Sequence, residues 1–129
     1  MTIGYTTDVL KSAVAGSAIT SGQILKFGAD DDTLVPAAAA TDVLMAIAEE
    51  AAASGQQLAV AVSAPNIRPV VLGGAVTRGD LITSDANGAG VTCAPGEGAN
   101  NYYIGMAMMS GVAGDIIPVR VGPGVMQGS

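Results

Sequence analysis

GGAVTRGDLITSD, at residues 73–85, decides how the rest of the chain is interpreted, because the chain has already used its pattern once. AVTRGDLI at residues 75–82 matches AITSGQIL at residues 18–25, and both run small, β-branched, Thr, polar, Gly, polar, aliphatic, aliphatic. The offset between the two copies is 57 residues. An internal repeat of this kind indicates that one supersecondary unit is built twice.

A second pair of matching stretches supports the repeat. ASGQQL at residues 53–58 corresponds to VAGDII at residues 112–117, at an offset of 59 residues. The second copy has therefore gained about two residues between the two matches. Together the matches predict two repeats, at about residues 16–62 and 73–121.

The composition favours short strands over long helices. The chain has 129 residues, which suits one domain. Eighteen Gly and six Pro interrupt it often, as in proteins built from short strands joined by tight turns. Aromatic residues make up only 3% of the chain, so the core must be built from Val, Ile, Leu, Met and Ala. We therefore predict an all-β fold with little helix.

Residues 41–53, taken alone, resemble a helix, because Ala, Leu, Met and Glu are strong helix formers. The repeat favours a strand instead. VLMAIA at residues 43–48 aligns with YYIGMA at residues 102–107, and the second version carries two Tyr, an Ile and a Gly, which suit a strand better. We predict strands at both places, with helix as the alternative for the first.

The charge balance excludes nucleic acid as a partner. Eleven acidic and five basic residues give a net charge of −6, and the basic residues are spread singly. Binding to DNA or RNA needs clustered Lys and Arg that displace phosphate counterions.

No stretch reaches the ~18 apolar residues that would span a bilayer, and no basic segment followed by an apolar run marks a signal peptide. We therefore expect a soluble protein made in a cytoplasm, with no membrane partner.

No residue emerges as a catalytic, cofactor-binding or metal-binding candidate. The chain has no His and a single Cys, Cys93, which removes the usual general bases and thiolate zinc sites. The acidic run at residues 30–32 lacks the closing Glu of a calcium loop and is interpreted as a turn. RGD at residues 78–80 spells an integrin-binding tripeptide, but SGQ at residues 21–23 fills the same turn in the first copy. We predict that the protein is not an enzyme and uses no cofactor.

The two ends of the chain fall outside the repeat. Residues 1–14 have no counterpart in the second copy. Their strand formers are Thr2, Ile3, Tyr5, Thr6 and Thr7. They are either a strand at a sheet edge or a frayed terminus, or an arm that pairs with a neighbouring protein. The predicted division is an N-terminal arm at residues 1–14, a β domain at residues 15–121 and a flexible tail at residues 122–129.

The order of these patterns resembles a known family, the capsid cement or head decoration proteins of tailed bacteriophages. The resemblance rests on AGSAITSGQILKFGAD and LVPAAAATD in the first copy, and on GGAVTRGDLITSDANGAGV, YYIGMAM and AGDIIPVRV in the second. It covers about residues 15–121, most of the chain. Each motif is only a turn-and-strand pattern, and their order and duplication make the resemblance specific.

The resemblance implies a small barrel of the β-clip or β-tulip type that assembles as a homotrimer on the outer surface of the virion capsid. It implies the major capsid protein as partner, synthesis in the host bacterial cytoplasm, and stabilisation of the mature head against internal DNA pressure as function. The arm at residues 1–14 is then a hypothetical capsid contact.

The alternative hypothesis is a β-clip module that binds a sugar or another small polar molecule. Such a site usually gathers aromatic or charged residues in one cleft. Only Tyr102 and Tyr103 suit that role, and adjacent strand residues point to opposite faces, so they do not easily line one wall.

Overall fold

The computed structural model describes residues 10–61 and 67–128, and the regular elements among them are all strands. The ten strands are β1 (Leu10–Ala15), β2 (Ile24–Phe27), β3 (Thr33–Pro36), β4 (Leu44–Ala48), β5 (Gln57–Ala61), β6 (Ile67–Val71), β7 (Leu81–Ser84), β8 (Gly90–Thr92), β9 (Asn100–Ala107) and β10 (Ile116–Gln127). The predicted all-β fold is confirmed. The described part of the chain contains no helix long and apolar enough to cross a membrane.

The strands form two five-stranded units. In the first unit, β1, β3, β2, β4 and β5 close into a barrel, and β5 pairs back onto β1. In the second unit the order is β6, β10, β9, β7 and β8, and a parallel bridge between Leu72 and Gly90 links the two edge strands. The predicted barrel-like fold built from two repeats is confirmed.

β1 is the structural counterpart of β6. Leu10 pairs with Ala61 on β5, and Ile67 pairs with Arg120 on β10, at the same offsets of 57 and 59 residues that relate the rest of the repeat. The prediction that residues 1–14 lack a counterpart is therefore wrong for residues 10–14. The relation is hard to detect in the sequence because these strands carry no turn residues that would mark their register.

β4 lies within the stretch that resembles a helix, and its assignment as a strand is confirmed. It pairs with β2 on one side and β5 on the other. Ala46 and Ala48 are buried inside the first barrel, where a larger side chain would find little room. The Ala-rich composition thus fits a narrow barrel, and packing overrides the local preference for helix.

Residues 122–127, expected to be a flexible tail, form the end of β10. The register between β9 and β10 shifts between Val121 and Gly124, and pairing then continues to Gln127. Pro123 lies within this irregularity, where its missing N–H disturbs no regular ladder bond. The Gly- and Pro-rich composition that indicated flexibility instead allows the strand to bend and continue.

Two apolar clusters fill the units. The first lies within the first barrel and contains five buried Ala residues, namely Ala13, Ala15, Ala46, Ala48 and Ala52. The second fills the second unit but also contains Ile24, Ala37, Leu44 and Ile47 from the first. Ile24 belongs to the second cluster and its neighbour Leu25 to the first, because successive strand residues point to opposite sides. One outer side of the first barrel is therefore covered by the second unit.

The two units differ at the junction where the first strand meets the third strand of the same unit, β1 with β3 and β6 with β8. We call this junction the seam. In the first unit, the Val14 N–H donates directly to the Asp32 carbonyl at 2.8 Å. In the second unit, the equivalent Val71 N–H donates to the Gly22 carbonyl of the first unit at 3.1 Å. Both units keep one direct bond here, from the Gly16 N–H to the Leu34 carbonyl and from the Gly73 N–H to the Gly90 carbonyl. In the second unit, however, a segment of the first unit takes the place of the other direct bond.

Further polar contacts cross between the units on either side of this segment. They are the Ile24 N–H to the Gly88 carbonyl at 2.8 Å, the Tyr102 N–H to the Ala40 carbonyl at 2.8 Å, and the ion pair of Arg68 Nε with Glu49 Oε2 at 2.7 Å. The shared apolar cluster and these contacts join the two repeats into one domain.

Candidate functional site

The four matching turns of the repeat share one design. Their glycines have φ between +87° and +92°, a region that L side chains rarely adopt: Gly22, Gly55, Gly79 and Gly114. The side chain after each glycine accepts a hydrogen bond from the N–H three residues earlier, at 2.8 or 2.9 Å. These side chains are Gln23, Gln56, Asp80 and Asp115. Because an amide oxygen and a carboxylate oxygen both accept this bond, Gln and Asp interchange between the copies.

The Arg78-Gly79-Asp80 tripeptide is one of these turns. Asp80 Oδ2 accepts hydrogen bonds from the Thr77 N–H at 2.9 Å and from the Thr92 hydroxyl at 3.0 Å. The carboxylate therefore holds the turn against β8. This geometry supports the interpretation of the tripeptide as a structural turn.

The acidic run at residues 30–32 lies in the turn between β2 and β3. Asp30 Oδ1 accepts from the Asp32 N–H at 3.1 Å. Hydrogen bonds from the Thr33 side chain and the Asp32 N–H lower the pKa of Asp30. Asp85 holds the matching turn of the second unit through bonds from two N–H groups. No cluster of three or more His, Cys, Asp or Glu side chains suited to a metal ion occurs within residues 10–61 and 67–128.

The predicted capsid-contact residues lie outside the described residues. They are Thr2, Ile3, Tyr5, Thr6 and Thr7.

Tyr102 and Tyr103, the candidates for ligand binding, are separated by the structure. Tyr102 packs against the core of the second unit, whereas Tyr103 lines a shallow pocket of about 230 Å³. Small-molecule sites usually measure about 300–1,000 Å³, so the pocket favours no ligand-binding role.

An exposed apolar surface on the second unit is the feature that the sequence analysis missed. Register partners on adjacent strands lie on the same side of a sheet, so the pairings define three rows on the outside of this unit. The first row is Ile67, Arg120, Met106 and Leu81, the second is Pro69 and Pro118, and the third is Val71 and Ile116. We call these eight residues the outer sheet face.

The exposure of this face is high for side chains of its type. Ile67 is 48% exposed, Met106 39% and Ile116 63%. One sequence signal could have revealed it, because Ile116 and Ile117 are adjacent in a strand and only one of them can point to the core. Ile117 is buried, and Ile116 points outward. Contiguous exposed apolar residues of this kind mark contact surfaces.

Comparison with known proteins identifies the class. The model of a family described as phage cement protein matches residues 5–122, and the chain belongs to this family. The family resemblance drawn from the repeat is thereby confirmed. Membership assigns the chain a structural role associated with a phage capsid.

Among solved structures, the chain is similar to the head fiber gp8.5 N base in bacteriophage phi29. The TM-score is 0.67 at 20% sequence identity, and the match covers 88% of this chain and 92% of that chain. At this identity the likeness shows a shared fold. Comparison with curated protein sequences finds no match.

Proposed function

We propose that the protein is a decoration protein that binds the outer surface of the mature phage head and stabilises it against the pressure of the packaged DNA. The observation that carries this proposal is the family match over residues 5–122. The proposed partners are the major capsid protein and further copies of the chain, assembled as a homotrimer. The proposed place of action is the outside of the virion, after synthesis in the host cytoplasm.

Such a role needs no catalytic step. A protein that binds only the expanded lattice stabilises that lattice by mass action. A trimer that touches several capsid subunits at once also gains from a high effective concentration, even when each contact is weak. One apolar cluster fills the first unit, and the other fills the second unit and is shared with the first. With the hydrogen bonds between the units, these clusters form a compact body suited to this task.

The direct test is binding to heads of the parent phage that lack the protein. Purified protein is mixed with emptied expanded heads or with unexpanded heads, and the bound fraction is measured after sedimentation. We expect saturable binding to the expanded heads, and decorated heads that withstand heating better than bare ones. Absence of binding to expanded heads would refute the proposed function.

Deletion of residues 2–9 is expected to weaken binding to expanded heads about tenfold or more, because an arm that adds a strand to a neighbour contributes main-chain hydrogen bonds. β1 begins at Leu10, so the deletion leaves the described strands in place. The bound fraction is measured across a concentration series, with the thermal unfolding temperature as a check on folding. Unchanged affinity in a folded deletion variant would show that the arm is not a capsid contact.

A further inference from the structure

We propose that the outer sheet face binds a second copy of the chain, in a heterologous contact that joins copies head to tail. This inference rests on the proposed function and deepens it, because it assigns the surface through which the proposed trimer forms. Four observations on the two units support it.

The repeat provides an internal control for the apolar character of the face. Ile116 starts β10, and its counterpart Gln57 starts β5 at the same place in the first unit. Gln57 is exposed, so the fold accepts a polar side chain at this position. The 63% exposed Ile116 is therefore not required for folding. At this position only one of the two structural duplicates exposes an apolar side chain, as expected of a contact surface.

The first unit shows what can cover this part of the fold. Ile24 and Ile47 are register partners there, as Leu81 and Met106 are in the second unit at offsets of 57 and 59 residues. Ile24 and Ile47 are fully buried in the cluster shared with the second unit. Met106 is 39% exposed. In the first unit, the pair is therefore buried by another unit of the same fold.

The contact between the two units is one-sided. A Cβ added to Gly22 would lie 3.0 Å from a methyl group of Val71, whereas nothing lies within 4 Å of the equivalent position on Gly79. The units are therefore not related by a two-fold axis, and the described residues leave the Gly79 turn of the second unit uncovered. A neighbouring copy cannot insert a turn into the first unit in the way that the Gly22 segment enters the second, because the Val14 N–H is already bonded to the Asp32 carbonyl. The second unit must then meet the outside of the neighbouring copy.

The charge on the face also favours a heterologous contact. Lys26 pairs with Asp42 at 3.2 Å and Arg68 with Glu49 at 2.7 Å, whereas Arg120 has no ion pair among the described residues. A two-fold contact centred on the face would bring two Arg120 side chains together. A heterologous contact instead sets Arg120 against a different surface of a copy whose net charge is −6. Heterologous contacts close into rings when the rotation between copies allows it.

The test compares three full-length proteins by analytical ultracentrifugation across a concentration series. They are the wild type, a face variant with Met106→Gln and Ile116→Gln, and a control with Val43→Gln and Val125→Gln. The control residues are 55% and 54% exposed and lie outside the face. We expect wild-type trimers, an unchanged control, and a face variant that assembles only at concentrations about tenfold higher or more. Circular dichroism verifies that both variants are folded.

Three results would overturn the inference: a wild type that stays monomeric, a wild type that stops at a dimer, or a folded face variant that assembles like the wild type. Adding each protein to emptied expanded heads separates this inference from the proposed function. A face variant that assembles normally but no longer binds heads assigns the face to the shell and leaves the proposed function standing. Wild-type protein that assembles through the face but does not bind heads removes the proposed function and leaves the inference standing.

Discussion

Replacement of Ile24 by Ala is expected to lower the free energy of unfolding by about 2–5 kcal/mol, the usual range for removing a buried Ile side chain. Ile24 is fully buried in the cluster that both units share. It also sits where the first unit completes the second sheet, next to the Gly88 carbonyl. Urea denaturation measures the loss, and hydrogen exchange locates it. We expect protection to fall mainly in β6 to β10.

Leu25→Ala is the matched control for this experiment. Leu25 is equally buried, but it belongs to the cluster inside the first barrel. A comparable loss of stability is expected, with protection falling first in β1 to β5. If both variants raise hydrogen exchange at the same amides, the two units unfold as one. The stability of the second unit then does not depend specifically on the first-unit segment that bonds to it.

Replacement of Gly90 by Leu is the second change with a large expected effect, a loss of about 3 kcal/mol or more from overpacking. A Cβ at Gly90 would lie 2.9 Å from a methyl group of Ile82 and 3.0 Å from one of Val70. Both neighbours are fully buried and cannot move into solvent. Thermal and urea denaturation measure the loss.

The first unit suggests how this loss can be reversed. There, Leu34 occupies the place of Gly90, and its bridge partner is Ala15, whereas the partner of Gly90 is Leu72. The first unit also has Ala13 at the place of Val70. Adding Val70→Ala and Leu72→Ala to Gly90→Leu therefore gives these three positions the residues of the first barrel.

The triple variant is expected to be more stable than the sum of the separate losses predicts, with a favourable coupling of about 0.5–3 kcal/mol. The control is the variant with Val70→Ala and Leu72→Ala alone, in which the space left by the two removed side chains stays empty. Additive losses would mean that the two units differ in backbone as well as in side chains, so that the core packing of one cannot be transferred to the other.

The duplicated architecture explains how one chain can supply both an internal contact and an external one. In the first unit, the pair formed by Ile24 and Ile47 is covered by the second unit. In the second unit, the pair formed by Leu81 and Met106 belongs to the exposed face. The two repeats thus share a fold but differ in which surfaces they leave available.

Local chemistry made much of this fold predictable. The turn glycines need positive φ, and the Gln or Asp after each glycine has a hydrogen bond to accept, so the four turns recur in the sequence as a readable pattern. That pattern located the repeat, and the repeat identified β4 as a strand against its helical composition. The order of the turns also indicated the phage cement family.

The way in which the two units meet could not be predicted from the sequence. Three features depend on backbone bonds between residues far apart in the chain. They are the insertion of the segment around Gly22 between β6 and Gly88, the continuation of β10 to Gln127, and the pairing of β1 with β5. Apart from Pro, which lacks the N–H, every residue has the same backbone hydrogen-bonding groups, so such bonds leave little trace in the sequence. The exposed face follows from these pairings. The turns, the repeat and the family could be predicted because they depend on residue types close together in the chain. Which surfaces are covered and which are exposed depends on backbone pairing between distant strands.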